Sequence, residues 1–384
     1  MKHLLKGAML VCVVTLLLSA LSLTTAEAKA NSSGSPTFRH LNSVAAVSAS
    51  DVWAVGNFSK SNNSFQTLIE HWNGSKWSVV SNPNPGSISN GLDGIGAVSA
   101  SDIWAVGISS NTSNSFQTLI EHWNGRNWSV VKSPNPAGTM NNFLNGIAVI
   151  SASDIWAVGN SSNTNNSSQT LIEHWNGSNW SIVKSPNRAS QNGLDGVAAV
   201  TANNIWAVGS SSNTSNSAQT LIEHWNGSTW SIVKSPSPGS GVVSLSDVAV
   251  VSTNNVWAAG SSNTSSTTLI EHWNGTGWSV VKSPNPGSVD LLLGIAVVST
   301  NNIWAVGQSL AQIGQGLIEH WNGSTWSVVK SPNQPGSVSS FLSGIAVISA
   351  GDIWAVGGFQ GSNLAEHTLI EHWNGTKWSI VPSP

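Results

Sequence analysis

Residues 154–159 read Asp154-Ile155-Trp156-Ala157-Val158-Gly159, and residues 171–180 read Leu171-Ile172-Glu173-His174-Trp175-Asn176-Gly177-Ser178-Asn179-Trp180. Both strings recur along the 384-residue chain. The first places its Trp at Trp53, Trp104, Trp156, Trp206, Trp257, Trp304 and Trp354, at intervals of 47 to 52 residues. The second supplies the pairs 72/77, 123/128, 175/180, 225/230, 273/278, 321/326 and 373/378. Three Trp in each of seven copies account for all 21 in the chain, so the repeat covers nearly everything after residue 40. Self-similarity at such a period marks a repeat architecture.

Each copy divides into four short β signals. In the third copy these are Gly146-Ile147-Ala148-Val149-Ile150, Ile155-Trp156-Ala157-Val158, Thr170-Leu171-Ile172-Glu173-His174-Trp175 and Trp180-Ser181-Ile182-Val183. The cluster Ser151-Ala152-Ser153-Asp154 makes a tight turn between the first two. Asn176-Gly177 opens the link between the last two, where Asn-Gly supplies positive φ. A longer Asn/Ser-rich loop is expected between strands two and three, and a Ser-Pro-Asn-Pro-Gly type linker leads to the next copy. Its prolines cannot continue a ladder.

Four antiparallel strands per copy, in tandem, predict an all-β, seven-bladed β-propeller. A lone four-stranded sheet leaves two apolar faces uncovered. Radial stacking buries each face on a neighbour, and closure removes the terminal faces. An open β-solenoid is the alternative, and the hairpin turns argue against it. The expected organisation is a signal peptide over 1–30, a lead segment over 31–40 and the propeller over 41–384. The repeats fall at about 41–91, 92–143, 144–193, 194–244, 245–291, 292–341 and 342–384. Closure can also draw on residues 37–40 as an added strand.

The copy Ile353-Trp354-Ala355-Val356-Gly357-Gly358, followed by Thr376-Lys377-Trp378, resembles the Kelch and galactose-oxidase-like propeller repeat. The other six copies keep only the first Gly, as in Gly56-Asn57 and Gly209-Ser210. The Asn-Gly-x-x-Trp hairpin is similar to an Asp-box turn of sialidase-type propellers, with Trp72 or Trp175 where that box carries Asp. The resemblance implies a propeller fold. It does not carry over the activities: galactose oxidase needs a Cys and Tyr ligands, and a sialidase site needs an arginine cluster and a Tyr. This chain has no Tyr, and its single cysteine is Cys12.

Residues shared by all copies read first as scaffold. Trp53, Trp104 and Trp156 lie on strand two. Trp72, Trp77, Trp123, Trp128, Trp175 and Trp180 flank the hairpins. Indoles bury roughly 150–250 Å² each and are expected to fill the space between blades. Glu173 and His174, with their six counterpart pairs, tempt a metal or acid–base reading. Neighbours on a strand point to opposite faces, so one pair cannot grip one ion. The structural expectation is that most of these Glu lie partly buried and accept a hydrogen bond from an indole or backbone N–H of the next blade. No cofactor and no metal are expected. The lysines of the Lys-Ser-Pro strings (Lys132, Lys184, Lys234, Lys282, Lys330) read as solvated strand ends, and Asn-Gly-Ser strings such as Asn73-Gly74-Ser75 read as turns rather than glycan acceptors.

Outside the repeats, Lys2 and Lys6, the apolar run 10–23 and an A-x-A pattern at Ala26-Glu27-Ala28 or Ala28-Lys29-Ala30 form a secretory signal pattern. The run falls short of the roughly 20 residues a spanning helix needs, so the chain is expected to be exported, without a membrane span, as a monomer. Cys12 lies inside that leader, which leaves no cysteine for a disulfide. Charged residues make up 8% of the chain, against roughly 25% in an average domain, and the formal charge is −3. That lacks the basic footprint of a nucleic-acid binder.

Two candidate sites follow. The first is the face bearing the strand two–three segments, 57–66, 108–117, 160–169, 210–219, 308–316 and 358–367, with Phe58, Phe65, Phe116, Phe143 and Phe359 as apolar contacts. The second is the entry to strand one beside the axis, where Asn42, Asp93, Asn145, Asp195, Ser246, Leu293 and Ser343 are equivalent. Oxygen ligands around an axis suit a hard cation, although two carboxylates are few for that role. The reading reached is a secreted, non-enzymatic module that binds a glycan, a cell-wall polymer or a protein. The alternatives are a glycan-active hydrolase, lyase or oxidase, and a structural surface protein. The unique charges Arg188, Asp290, Glu366 and His367 read as scattered, which favours binding over chemistry.

Overall fold

The computed structural model describes residues 38–384 apart from 60–63, 114, 166, 215–216, 239–240, 263–265, 311–313 and 333. Residues 1–37, with the expected signal peptide and most of the expected lead segment, lie outside this set. Every named element is a β-strand. They form seven four-stranded antiparallel units. The first unit is Arg39–Ser48, Asp51–Ser59, Phe65–Trp72 and Trp77–Val79, and the seventh is Ser337–Ser349, Asp352–Gly361, Glu366–Trp373 and Trp378–Ile380. Units two, three and four merge into one larger sheet through single parallel residue pairs, Phe116 with Asn141 and Ser168 with Gln191. Arg39 and His40 pair with Phe58 and Asn57 inside strand one, so they do not form an added closing strand.

Strand two explains the architecture. Ile155, Trp156, Ala157 and Val158 are all buried, and successive side chains face opposite ways. Trp156 and Val158 pack on unit four, whereas Ile155 and Ala157 pack on unit two. A sheet apolar on both faces has to be sandwiched, and the seven apolar clusters lie at the seven unit-to-unit interfaces. One of them joins Trp354, Val356 and Ile370 of unit seven to Leu41, Val52 and Trp77 of unit one.

The strand-two indole of each unit inserts between the Trp pair of the next. Trp53 lies 5.1 Å from Trp123 and 5.7 Å from Trp128. Trp354 lies 5.1 Å from Trp72 and 5.4 Å from Trp77. The same arrangement recurs across the seam between units seven and one.

Two features differ from the sequence expectation. The Asn/Ser-rich segments between strands two and three are largely strand: Asp102–Thr112 runs to Ser115–Trp123, with Thr112 opposite Ser115. Small polar residues do not interrupt an antiparallel ladder whose backbone groups pair with each other. The strand three–four hairpin uses one positive φ, at Gly177 (91°), rather than two. Asn176 Oδ1 instead accepts the N–H groups of Ser178 and Asn179, both at 3.0 Å, and so closes a four-residue loop.

Candidate functional site

The seven repeated Glu side chains are fully buried. Each faces the preceding unit, not the next one, and its donor is a linker side chain rather than an indole, joined at Glu271 by the backbone N–H of Ser237. Ser133 Oγ donates to both oxygens of Glu173, at 3.0 and 2.8 Å. Ser185 serves Glu223, Ser235 serves Glu271, Ser283 serves Glu319 and Ser331 serves Glu371. In unit two the donor is Asn82, 3.1 Å from Glu121. Across the seam Ser383 donates to Glu70 at 2.8 Å, and Arg39 Nη2 joins it at 3.1 Å. In five copies the serine belongs to the Lys-Ser-Pro string, whose informative residue is therefore the Ser; a small polar residue just before a proline, Ser in six copies and Asn82 in one, was the signal. The strand-four indoles, by contrast, bury Nε1 with no oxygen or nitrogen partner.

Burial raises these carboxyls from the ordinary 4.5. Glu121, Glu173, Glu319 and Glu371 reach about 8, and Glu223 and Glu271 about 7. In each case the donor's hydrogen bond offsets only part of the desolvation. Glu70 is also raised by burial, against the opposing pull of Ser383 and Arg39.

The adjacent His points the other way. His174 stacks on Trp156 with ring centroids 4.2 Å apart, and its Nε2–H donates to Asp154 Oδ1 at 2.9 Å. Trp156 Nε1 donates to that same oxygen at 2.8 Å. Units one, two, three and seven use Asp at this place; units four, five and six use Asn204, Asn255 and Asn302. Burial lowers His224, His272 and His320 in the Asn units from the ordinary 6.5. Glu173 and His174 therefore never converge on one ligand. Among the described residues no group of three or more His, Cys, Asp or Glu is placed to hold a metal ion.

The axial candidates do come together. Asn42, Asp93, Asn145, Asp195, Ser246, Leu293 and Ser343 line one cavity of about 150 Å³ to which all seven units contribute. Close approach of neighbouring first strands shapes it: a Cβ on Gly146 would sit 2.7 Å from the Asp195 carbonyl oxygen, and one on Gly344 would sit 2.9 Å from Ser43 Cα across the seam. Asn42 Nδ2 donates to Asp93 at 3.1 Å and Asn145 Nδ2 to Asp195 at 3.3 Å. Asp247, missed in the sequence because it stands one residue later than the other acids, accepts Ile295 N–H at 3.0 Å. Desolvation raises Asp93 and Asp195 to about 7 and Asp247 to about 6. The acids are thus tied to amides of the same or the neighbouring strands.

The Phe candidates divide. Phe116 and Phe143 stack at 5.6 Å across the interface of units two and three. Phe58 packs onto the core between units seven and one, and Phe359 packs onto the core between units six and seven and stacks on His367 at 5.1 Å. Parts of 57–66, 108–117, 160–169, 210–219 and 308–316 lie outside the described residues. The unique charges are not all scattered. Arg188 donates to Ser211 Oγ and the Thr220 carbonyl, and Asp290 accepts Gly287 N–H. Glu366 and His367, however, gather with Arg39 and His40 at the seam, where His40 Nδ1 and Glu366 Oε1 stand 3.0 Å apart. Sequence distance hid this cluster. No helix among the described residues is long and apolar enough to cross a membrane.

No known protein-family profile matches the chain. No curated protein matches it either. The fold is similar to that of YCF48 from Cyanidioschyzon merolae (TM-score 0.55, 11% identity, covering 88% of this chain and 97% of that one). It is similar to YCF48 bound to D1 peptide (TM-score 0.54, 14% identity, 85% and 91% covered). It is also similar to the β-propeller domain of the trilobed protease from Pyrococcus furiosus, described as having an open velcro topology (TM-score 0.54, 8% identity, 91% and 99% covered). At these identities the likeness is one of fold, and the chain is a repeat protein of the β-propeller type.

Proposed function

We propose that this chain is a secreted, non-enzymatic binding module, built as a closed seven-bladed propeller of Kelch-like repeats, that recognises a glycan, a cell-wall polymer or a protein through its linker-bearing face. One observation carries this reading: the repeated ionisable side chains are spent within the scaffold. Each Glu is held by a donor of the preceding unit, and each His by an Asp or Asn of its own unit. What varies between copies sits at the ends of strands two and three and on the linkers, where a rigid frame presents changeable side chains. The stacked Phe116–Phe143 pair offers an aromatic surface there. A propeller of similar fold, YCF48, has been seen bound to a peptide, which supports a protein partner among the three. The leader over 1–30 supports export.

The test is a screen of the mature chain against arrayed glycans, cell-wall polymers and peptides, with products monitored in parallel. The expected result is saturable binding without turnover, weakened by Phe116→Ala or Phe143→Ala. Release of a cleaved or oxidised product would overturn the non-enzymatic reading.

A further inference from the structure

Among the described residues strand four ends the sheet of every unit, with no strand on its outer side. In unit three, Val183 N–H donates inward to the Ile172 carbonyl at 2.9 Å. Backbone groups alternate in direction along an antiparallel strand, so the N–H and C=O of Ile182 point outward at the rim. The same inward bond recurs from Val80 to Ile69 in unit one and from Val381 to Ile370 in unit seven. Ile182 stands opposite Glu173, so its side chain lies on the face toward unit two, further out than the buried Ser133–Glu173 bond.

This outer edge is apolar. Val79, Val130, Ile182, Val280 and Val328 are 44 to 52% exposed. All seven copies place Val or Ile here, whereas the residue before the strand-four Trp changes freely, as at Lys76, Asn179, Thr229 and Gly277. Strand formation does not demand an aliphatic side chain at such exposure, because Thr fits an edge strand as well. Two residues on, and on the same face, units two to six carry Lys132, Lys184, Lys234, Lys282 and Lys330. All five lysines are exposed, and none forms an ion pair among the described residues.

We propose that the outer edges of units two to six each take an extended acidic peptide of a partner protein, added as a fifth strand. In unit three the peptide exchanges backbone hydrogen bonds with Ile182. Its residue opposite Ile182 is apolar and covers that side chain, and an acid two residues away on the same face reaches Lys184. The lysines decide the occupant. A second copy of the chain would bring lysine to a lysine-bearing edge, and lysine on an edge strand is a known guard against self-pairing. An acidic segment meets the charge and the apolar side chain together. One edge offers only three or four residues, as in Trp180–Ile182 and Trp128–Val131. Five around one rim let a partner with repeated acidic segments bind more tightly than a single edge allows. The rim is a different surface from the Phe116–Phe143 face, and the proposal does not depend on that face.

The experiment titrates acetyl-Thr-Glu-Thr-Val-Thr-Glu-Thr-amide into the mature chain by calorimetry. This peptide reads the same in both directions and so suits either strand orientation. Saturable binding is expected. It should weaken about fivefold or more when both peptide Glu are replaced by Lys, the scale of an exposed ion pair. A similar loss is expected in the chain carrying Lys132→Gln, Lys184→Gln, Lys234→Gln, Lys282→Gln and Lys330→Gln together. Methylating the three central amide nitrogens of the peptide should abolish binding, because the bonds to the edge are lost. Phe143→Ala should leave it unchanged, so failure here is separable from failure of the face proposed above. Absence of binding at millimolar peptide overturns the proposal, as does equal binding of the Glu and Lys peptides or of the methylated one. Dimers of the peptide-free chain in sedimentation that excess peptide disperses also overturn it, because a second copy would then be the occupant.

Discussion

The interface between units three and four and the one between units seven and one, the last and first in the sequence, share nearly the same buried chemistry. Between units three and four, Trp156 lies 5.0 Å from Trp225 and 5.6 Å from Trp230, and Ser185 donates to Glu223. Between units seven and one, Trp354 meets Trp72 and Trp77 at 5.1 and 5.4 Å, and Ser383 donates to Glu70. What differs is the surroundings of the carboxyl: Arg39 Nη2 also donates to Glu70, whereas Glu223 Oε1 has no partner among the described residues. Cohesion at both interfaces therefore resides in indole stacking and in the serine–carboxyl bond.

The harshest way to break this comparison is to remove an indole from each interface. Trp156→Ala and Trp354→Ala should each cost about 3–5 kcal/mol, the usual loss for a large buried aromatic. Urea unfolding monitored by circular dichroism reads both. A Trp354→Ala cost much smaller than that of Trp156→Ala would mean that the seam is open in solution.

The serine–carboxyl bond sharpens the comparison on a smaller scale. Ser185→Ala leaves the buried Glu223 without its donor and should cost about 1–3 kcal/mol. Ser383→Ala should cost less, because Arg39 still donates to Glu70. Equal costs would show that the Arg39 contact contributes nothing.

The repeat made the fold readable. Trp156 and Ile155 announced a strand buried on both faces, and seven copies announced the number of sandwiched units. The site was less readable, for three physical reasons. The partner of Glu173 lies forty residues away in another unit, at Ser133, in a string that reads as a polar strand end. Asp247 fell one place out of register with the other axial acids. His40 and Glu366 meet only because the first and last units touch, and no local pattern encodes that contact. Local periodicity specifies faces; it does not name which side chain of the next unit meets them.

Acidity gives a third test. Six repeated Glu titrate at about 7 to 8 in the fold, against an ordinary value of 4.5, because burial disfavours the charged form. Between about pH 4.5 and 8 the unfolded chain releases protons that the folded chain retains. Stability is thus full below 4.5, falls as pH rises through that window and levels above it. Melting temperature should be lower at pH 9 than at pH 5. At the seam, Arg39 lowers Glu70 against the same burial. Arg39→Gln should make Glu70 behave like the other six and deepen the pH loss by about 1.4 kcal/mol for each unit by which its pKa rises. An unchanged pH profile in that variant would remove Arg39 from the account.

The smallest effect separates the Asp units from the Asn units. His174 donates to Asp154, and His224 to Asn204, at the same 2.9 Å. Only the first acceptor carries charge. Asn204→Asp should change stability by no more than about 1 kcal/mol, as expected of a partly exposed pair. It should, however, raise the His224 pKa from its burial-lowered position, since a carboxylate beside Nε2 favours the imidazolium. Histidine titration by NMR reads that shift directly. A His224 signal that titrates unchanged would mean that the Asp and Asn units are not interchangeable, and that the split between them marks a distinction beyond the charge of one acceptor.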